Sequence, residues 1–419
     1  MSEPTTLMVL AGEASGDRRA AELVRALRQC APERRFVFFG SGGPALRAEG
    51  VQTLADIGDT AIIGPLEIAR SLRTFLDLSR ELVRAAREHR PRAVILVDWP
   101  EFNLRIVKKL KRLGLTTIYY ISPQVWAWRR YRVRTIRRYV DRMIVILPFE
   151  VEFYRREGIS VDYVGHPLVD SVRATLDRHT FCQKYGLAAD RPIVSLLPGS
   201  RRTEVEHILP VMIKAADHLS RKVDAQWVVA LAPTITPEFV RNVLERSSIE
   251  NHAAREGFPS ETMSLASAGG MRVLFLPNDT YNALAHSELA IVTSGTATLE
   301  SALLGTPLVV VYRTRPVNYW LIRPLLRLDT FGMVNLIAGQ RIAPELIQRD
   351  LTVEKLTSVV GELLEDDARR AAMKEKLVRL RERLGDGRAA ERAARVVLSA
   401  IGGEGNPPPY LKSDETVSG

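Results

Sequence analysis

Four places in this chain of 419 residues carry an apolar run into a turn of small residues, beside a group able to move a proton or hold an anion. The first is Leu10-Ala11-Gly12-Glu13-Ala14-Ser15-Gly16-Asp17. Glycines let the backbone approach a ligand closely, and helix N-terminal amides favour oxygen-rich groups. No lysine follows Gly16, so this is not a Walker loop, and the carboxylates of Glu13 and Asp17 argue against a triphosphate. The plainer alternative is a turn with Asp17 near a helix start. The second place, from Val94 to Asn103, runs four apolar residues into Asp98. A carboxylate at a strand tip is partly desolvated and can serve as a general base; alternatively Asp98 caps the following helix or pairs with an arginine.

In the third place, from Leu196 to Glu206, Gly199 and Ser200 turn the chain, and Thr203 with Glu206 has the spacing of a capping box. Backbone amides there, with Arg201 or Arg202, offer a diphosphate cradle; the alternative is an ordinary strand–helix turn with solvated arginines. The fourth is Ser294-Gly295-Thr296-Ala297-Thr298-Leu299-Glu300. Hydroxyls and free amides at a helix start suit phosphate oxygens, and Glu300, one turn in, has two acceptor oxygens for a ribose diol.

The elements that must position these groups are short apolar strands alternating with helical patterns. Residues 7–11, 35–39, 93–97, 117–121 and 142–146 read as strands in the first half, and 193–197, 226–231, 273–275, 289–293 and 308–312 in the second. Most are apolar on both faces, as in parallel sheets covered by helices, so the fold class is α/β. Ligands of such sheets bind outside the carboxyl ends of the strands, where all four places lie. The length suits more than one core. The expected organisation is two Rossmann-like domains with parallel sheets facing across a cleft, one over 1–170 and one over 171–352. Helices over 353–401 are expected to pack on or across them, and residues 402–419, with three consecutive prolines, to form a disordered tail.

Composition narrows the class. Apolar residues make up 46% and charged residues 26%, as in ordinary globular proteins. No run approaches the ~18 apolar residues of a membrane span. Two distant cysteines build no disulfide framework, which points to a reducing cytoplasm, and the histidines follow no metal-ligand spacing, so no metal or cofactor is expected. The net charge of +10 attracts nucleic acid, anionic lipid or phosphorylated substrate alike. No nucleic-acid-binding signature accompanies it.

In this order the segments resemble the lipid A disaccharide synthase family of GT-B glycosyltransferases. The matching pieces are 11–17, Ser41-Gly42-Gly43-Pro44, 98–103, Ser122-Pro123-Gln124-Val125-Trp126-Ala127-Trp128-Arg129, Leu147-Pro148-Phe149-Glu150, Gly165-His166-Pro167, 197–201, 294–300 and 335–339. They span about 7–401, and two tryptophans at the spacing of Trp126 and Trp128 are specific. Arg18, Arg19, Trp99 and Glu101 depart from the usual pattern, and 250–270 is longer than usual. The resemblance implies inverting transfer of 2,3-diacylglucosamine from UDP to 2,3-diacylglucosamine 1-phosphate (lipid X), giving a β-1,6 disaccharide and UDP. Asp98 is then the expected base with Glu13 the runner-up, and Arg201 and the helix starts after Gly199 and Gly295 stabilise the leaving diphosphate. Ser200, Ser294, Thr296, Ala297, Thr298, Glu300 and Asn335 are expected to contact UDP. Ser15, Asp17, Asn103, Ser122, Trp126 and His166 are expected on the acceptor side.

The acylated substrates imply an anionic membrane surface as partner and a cytoplasmic protein held peripherally at the inner membrane. Segment 61–68 with Arg70, Leu72, Arg73, Phe75 and Leu76 suits docking into lipid, and Trp126 and Trp128 beside Arg129, Arg130, Arg132 and Arg134 add a basic patch. A homodimer is an open alternative to a monomer. Two competing readings are a UDP-N-acetylglucosamine 2-epimerase, which turns over that sugar nucleotide alone, and a nucleic-acid binder using 126–142.

Overall fold

The computed structural model describes residues 3–56, 65–127, 129–247, 249, 263–266, 271–314 and 330–402. The expected tail from 403 onward, Trp128, positions 61–64 of the docking segment and most of 250–270 lie outside the described residues. Two compact units are present: Met1–Asp170 with Leu384–Gly419, and Ser171–Arg383.

The first unit is built on a seven-stranded parallel sheet of β1 (Thr5–Leu10), β2 (Phe36–Gly42), β3 (Gln52–Asp56), β4 (Ala93–Val97), β5 (Thr116–Tyr120), β6 (Arg142–Val145) and β7 (Asp162–Tyr163). Its spatial order is β3-β2-β1-β4-β5-β6-β7. Apolar side chains on both faces suit β1 to an interior position in this sheet. Leu7 and Val9 enter one core with Leu23 and Leu27 of the helix Ala14–Cys30 and Val397 of the helix Ala389–Gly402. Met8 and Leu10 enter the other with Leu82 of the helix Pro65–His89 and Phe102 and Val107 of the helix Pro100–Arg112. All four β1 side chains are fully buried, and each aliphatic one contributes about 1.5–3 kcal/mol by leaving water.

The second unit repeats the plan with β8 (Ile193–Leu197), β9 (Gln226–Leu231), β10 (Met263–Ala266), β11 (Arg272–Pro277), β12 (Leu289–Thr293), β13 (Leu308–Tyr312) and β14 (Glu345–Ile347), ordered β10-β11-β9-β8-β12-β13-β14. Only the β10–β11 pair is antiparallel among these strands.

The C-terminal helices divide between the units. Val353–Glu365 packs on Arg202–Ser220, and Asp367–Arg383 on Thr296–Leu303, all in the second unit; Ala389–Gly402 returns to the first and packs on Ala14–Cys30. The return is fixed by Asp170, whose carboxylate accepts from the amides of Arg388 (2.6 Å) and Ala389 (3.2 Å) at the start of that helix. Gly387 permits this approach: its φ is +89°, and a Cβ there would lie 2.6 Å from Asp170 Oδ1.

In both sheets the chain reverses its winding beside the first strand, between β1 and β4 and again between β8 and β12. These switch points are where doubly wound sheets open a crevice at their carboxyl ends.

Candidate active site

The first switch point brings the Gly12–Asp17 turn and Asp98 together. Asp98 and Trp99 both have φ of +47° without being glycine. Each left-handed residue costs roughly 1–2 kcal/mol, so packing and hydrogen bonds must hold the pair. The Asp98 amide donates to Tyr120 O (3.0 Å), and its carbonyl accepts from Tyr119 Oη (2.7 Å) and Asn103 Nδ2 (2.8 Å). The helix Pro100–Arg112 starts at Trp99 with no side-chain cap, and among the described residues no arginine forms an ion pair with Asp98. Neither the capping nor the arginine alternative for Asp98 is realised. Burial, then the negative charge of Glu13, push its carboxyl up to about 6, against a smaller opposing pull from the Trp99 amide. Glu13 itself is exposed, ahead of the helix Ala14–Cys30, and Ser15 is exposed two residues on.

Other acceptor-side expectations are redistributed. Asp17 is 3% exposed, and its carboxylate accepts from the amides of Gly43 (2.7 Å), Ala45 (2.9 Å) and Leu46 (3.2 Å). It fixes the Ser41–Pro44 turn and is not presented to a ligand. Asn103 is fully buried and also reaches the carbonyls of Leu10 (3.4 Å) and Val97 (3.3 Å), tying the ends of β1 and β4 together. Ser122 is buried against Tyr154 Oη at 2.7 Å. Trp126 donates to Glu150 Oε1 (3.2 Å), meets Phe149 edge-on and is half-buried. Glu150, which sequence reasoning left without a role, is buried beneath it and pushed up to about 7 by that burial, despite amides from Leu147 and Ile146. His166 is buried with Nδ1 accepting from the Leu168 amide (3.2 Å), and burial followed by the Arg19 charge lowers it to about 3. It is a neutral structural imidazole.

The basic patch after Trp126 is largely paired internally. Arg129 (2.5 Å) and Arg132 (2.6 Å) engage Glu101, and Arg130 and Arg137 engage Glu157. Such pairing reduces the field the patch offers to an anionic surface. Phe75 leans on Trp99 and Phe102 at 5.8 and 5.7 Å, while Leu76 stays exposed.

At the second switch point the side chains hold the loops and the backbone faces out. Gly199 has φ of +115°, and a Cβ there would strike Glu204 Oε2 at 2.6 Å. Glu204 accepts from the amides of Ser200 and Arg201, both at 3.2 Å, and pairs with Arg201 at 3.4 Å. The helix therefore begins at Arg202, and in place of the capping box expected from Thr203 and Glu206 only Glu204 reaches back, to the amides of Ser200 and Arg201. The spacing in the sequence permits either; only the tight turn at Gly199 selects Glu204. Two amides expected to cradle a diphosphate are thereby occupied, which leaves the Arg201 side chain, 77% exposed, as the cationic group.

Beside it, Thr293 Oγ1 donates to Leu197 O (2.9 Å) and locks β12 to β8, and Ser294 Oγ donates to Phe331 O (2.7 Å). Thr298 is buried with its hydroxyl on Gly295 O (2.8 Å), facing inward and away from any phosphate. Asn335, 1% exposed, donates to Ala343 O and Glu345 and accepts from the amides of Ile342 and Ala343, at 2.7–2.9 Å. Its side-chain hydrogen-bonding capacity is filled within the protein, where it shapes the 341–345 loop. Gly295, Thr296 and Ala297 begin the helix Thr296–Leu303, whose first amides have no carbonyl within the helix to reach, and Gly295 has open space on its Cβ side. Glu300 is half-buried, 3.5 Å from Tyr281 Oη. Among the described residues no group of three or more His, Cys, Asp or Glu is placed to hold a metal ion.

Two doubly wound units in one chain make a fold of the GT-B type. A putative UDP-N-acetylglucosamine 2-epimerase from Listeria monocytogenes shares this fold, with TM-score 0.65 at 16% identity over 98% of this chain and 100% of that one. So does a glycosyltransferase from Rickettsia africae, with TM-score 0.56 at 12% identity over 96% and 99%. The chain belongs to the lipid-A-disaccharide synthetase family, whose model matches residues 7–399. It is 42% identical over 402 residues to the lipid-A-disaccharide synthase of Myxococcus xanthus, covering 96% of this chain and 99% of the relative.

Proposed function

We propose that this chain is a lipid-A-disaccharide synthase, an inverting glycosyltransferase that moves a diacylated glucosamine from UDP to the 6-hydroxyl of diacylglucosamine 1-phosphate. The family match across both units supports this reading. Asp98 takes the proton of the acceptor hydroxyl, the oxygen attacks the anomeric carbon from the face opposite UDP, and the bond from that carbon to the diphosphate oxygen breaks. Raised to about 6, the Asp98 carboxyl is ionised at neutral pH yet basic enough to accept the proton. Glu13, exposed beside it, is the alternative base. Arg201 and the amides at the start of Thr296–Leu303 stabilise the charge growing on departing UDP, a contribution of ~3–4 kcal/mol for one preorganised donor. Glu300 accepts hydrogen bonds from the ribose.

The acyl chains of both substrates place the protein at the cytoplasmic face of the inner membrane. Peripheral association fits these substrates, with Leu76, exposed beside Phe75, as the described part of the contact; among the described residues no helix is long and apolar enough to cross a membrane.

The test supplies diacylated UDP-glucosamine and the monosaccharide phosphate on anionic liposomes and follows the product by mass spectrometry. The disaccharide and UDP are expected in equal amounts, with protein floating on the liposomes at low salt. Turnover of UDP-N-acetylglucosamine alone, without disaccharide, would favour the epimerase reading. Protein that floats at neither low nor high salt would remove the membrane contact.

A further inference from the structure

We propose that Trp99, wedged against Gly12, is the positioning residue that holds Asp98 in place for proton transfer. This rests on the reading of Asp98 as the base. Trp99 precedes Pro100, a context that disfavours helical backbone angles and drives a residue toward extended ones. It nevertheless sits at φ +47°, ψ +57°, immediately after Asp98 at φ +47°. Two successive left-handed residues relax to extended geometry unless something over-determines them. What holds them is the indole. It is 6% exposed, stacked on Phe102 at 4.2 Å and 17°, and leaned on by Phe75. It lies so close over Gly12 that a Cβ there would fall 1.9 Å from its Cδ2, inside the ring. The β1 turn and the β4 tip are therefore pressed together by one ring lying on one glycine.

Asp98 is itself partly buried beside this packing. The polar groups facing this carboxyl or its backbone are Glu13 from the β1 turn, the Tyr119 hydroxyl from β5, and Asn103 and the Trp99 amide from its own segment. Arg132, whose charge reaches the neighbouring Tyr119, is held by Glu101 at 2.6 Å. With no cation in contact, Asp98 owes its raised proton affinity first to burial, so removing the ring lowers that affinity while also freeing the backbone.

The test measures kcat, both KM values and the acid limb of kcat for the full-length enzyme carrying Trp99→Ala, Trp99→Phe or Asp98→Asn, each checked for cooperative thermal unfolding. Trp99→Ala is expected to lose about tenfold or more in kcat with KM values within about threefold, and its acid limb moves to lower pH. Trp99→Phe keeps a ring over Gly12 and stays within about threefold of wild type with the limb unmoved. If Trp99→Ala loses cooperative unfolding, Trp99→Leu is read in its place. A folded Trp99→Ala with wild-type kcat and limb, beside an inactive Asp98→Asn, overturns this proposal alone. Near-wild-type turnover by Asp98→Asn overturns the base assignment and the proposal with it.

Discussion

The two switch points share a topology and use it in opposite ways. Between β1 and β4, strain and burial are concentrated on one carboxyl group that has neither a cap nor a cation. Between β8 and β12, almost every polar side chain is satisfied by the protein: Glu204 by two amides, Asn335 by four partners, Thr293 and Ser294 by carbonyls across the sheet. What remains there is the exposed guanidinium of Arg201, with that of Arg202 lying over Phe239, and the amides of a helix start. The difference separates the two demands of glycosyl transfer. A base needs an environment that disfavours its own charge, whereas a leaving-group site needs donors whose positions are fixed before the charge arrives.

The contrast can be broken first at Arg201. Arg201→Ala is expected to lower kcat by about 10²–10³ and weaken UDP binding. Its exposed pair with Glu204 is worth little, so thermal stability stays within ~0.5 kcal/mol of wild type. An equal loss of stability and activity would mean that Arg201 is structural. Asn335→Ala should show the reverse, costing about 3 kcal/mol in denaturant unfolding by leaving buried amides of Ile342 and Ala343 unpaired, with a smaller effect on turnover of the folded fraction. If it abolishes UDP binding by calorimetry in a fully folded protein, Asn335 is a nucleotide contact after all.

The positions of these sites were legible in the sequence because a fully buried parallel strand announces itself as an apolar run, and function in such sheets lies at its carboxyl end. Asp98, Arg201 and the Gly295 turn were readable on that ground. What was not readable is which polar residues near a strand tip turn inward. Asp17 finds its partners at Gly43 to Leu46, and Asn103 finds one of its at Leu10, so their use depends on contacts no local pattern encodes. The edge strands β3, β10 and β14 were missed because an edge position needs no continuous apolar run. Trp99 stood out only as a large residue in an unexpected place; its wedge is visible once Gly12 is seen beneath it.

The most direct measurement is the pH dependence of kcat for wild type and Glu13→Gln. Asp98 must be ionised to accept a proton and its carboxyl is raised to about 6, so wild-type activity should fall as pH drops through about 6. Glu13 contributes to that rise through its negative charge, so removing it lowers the proton affinity of Asp98 and shifts the limb to lower pH while turnover at neutral pH persists. A wild-type profile flat from pH 5 to 7, or a Glu13→Gln enzyme that is dead at every pH with UDP binding intact, would contradict the assignment of the base to Asp98.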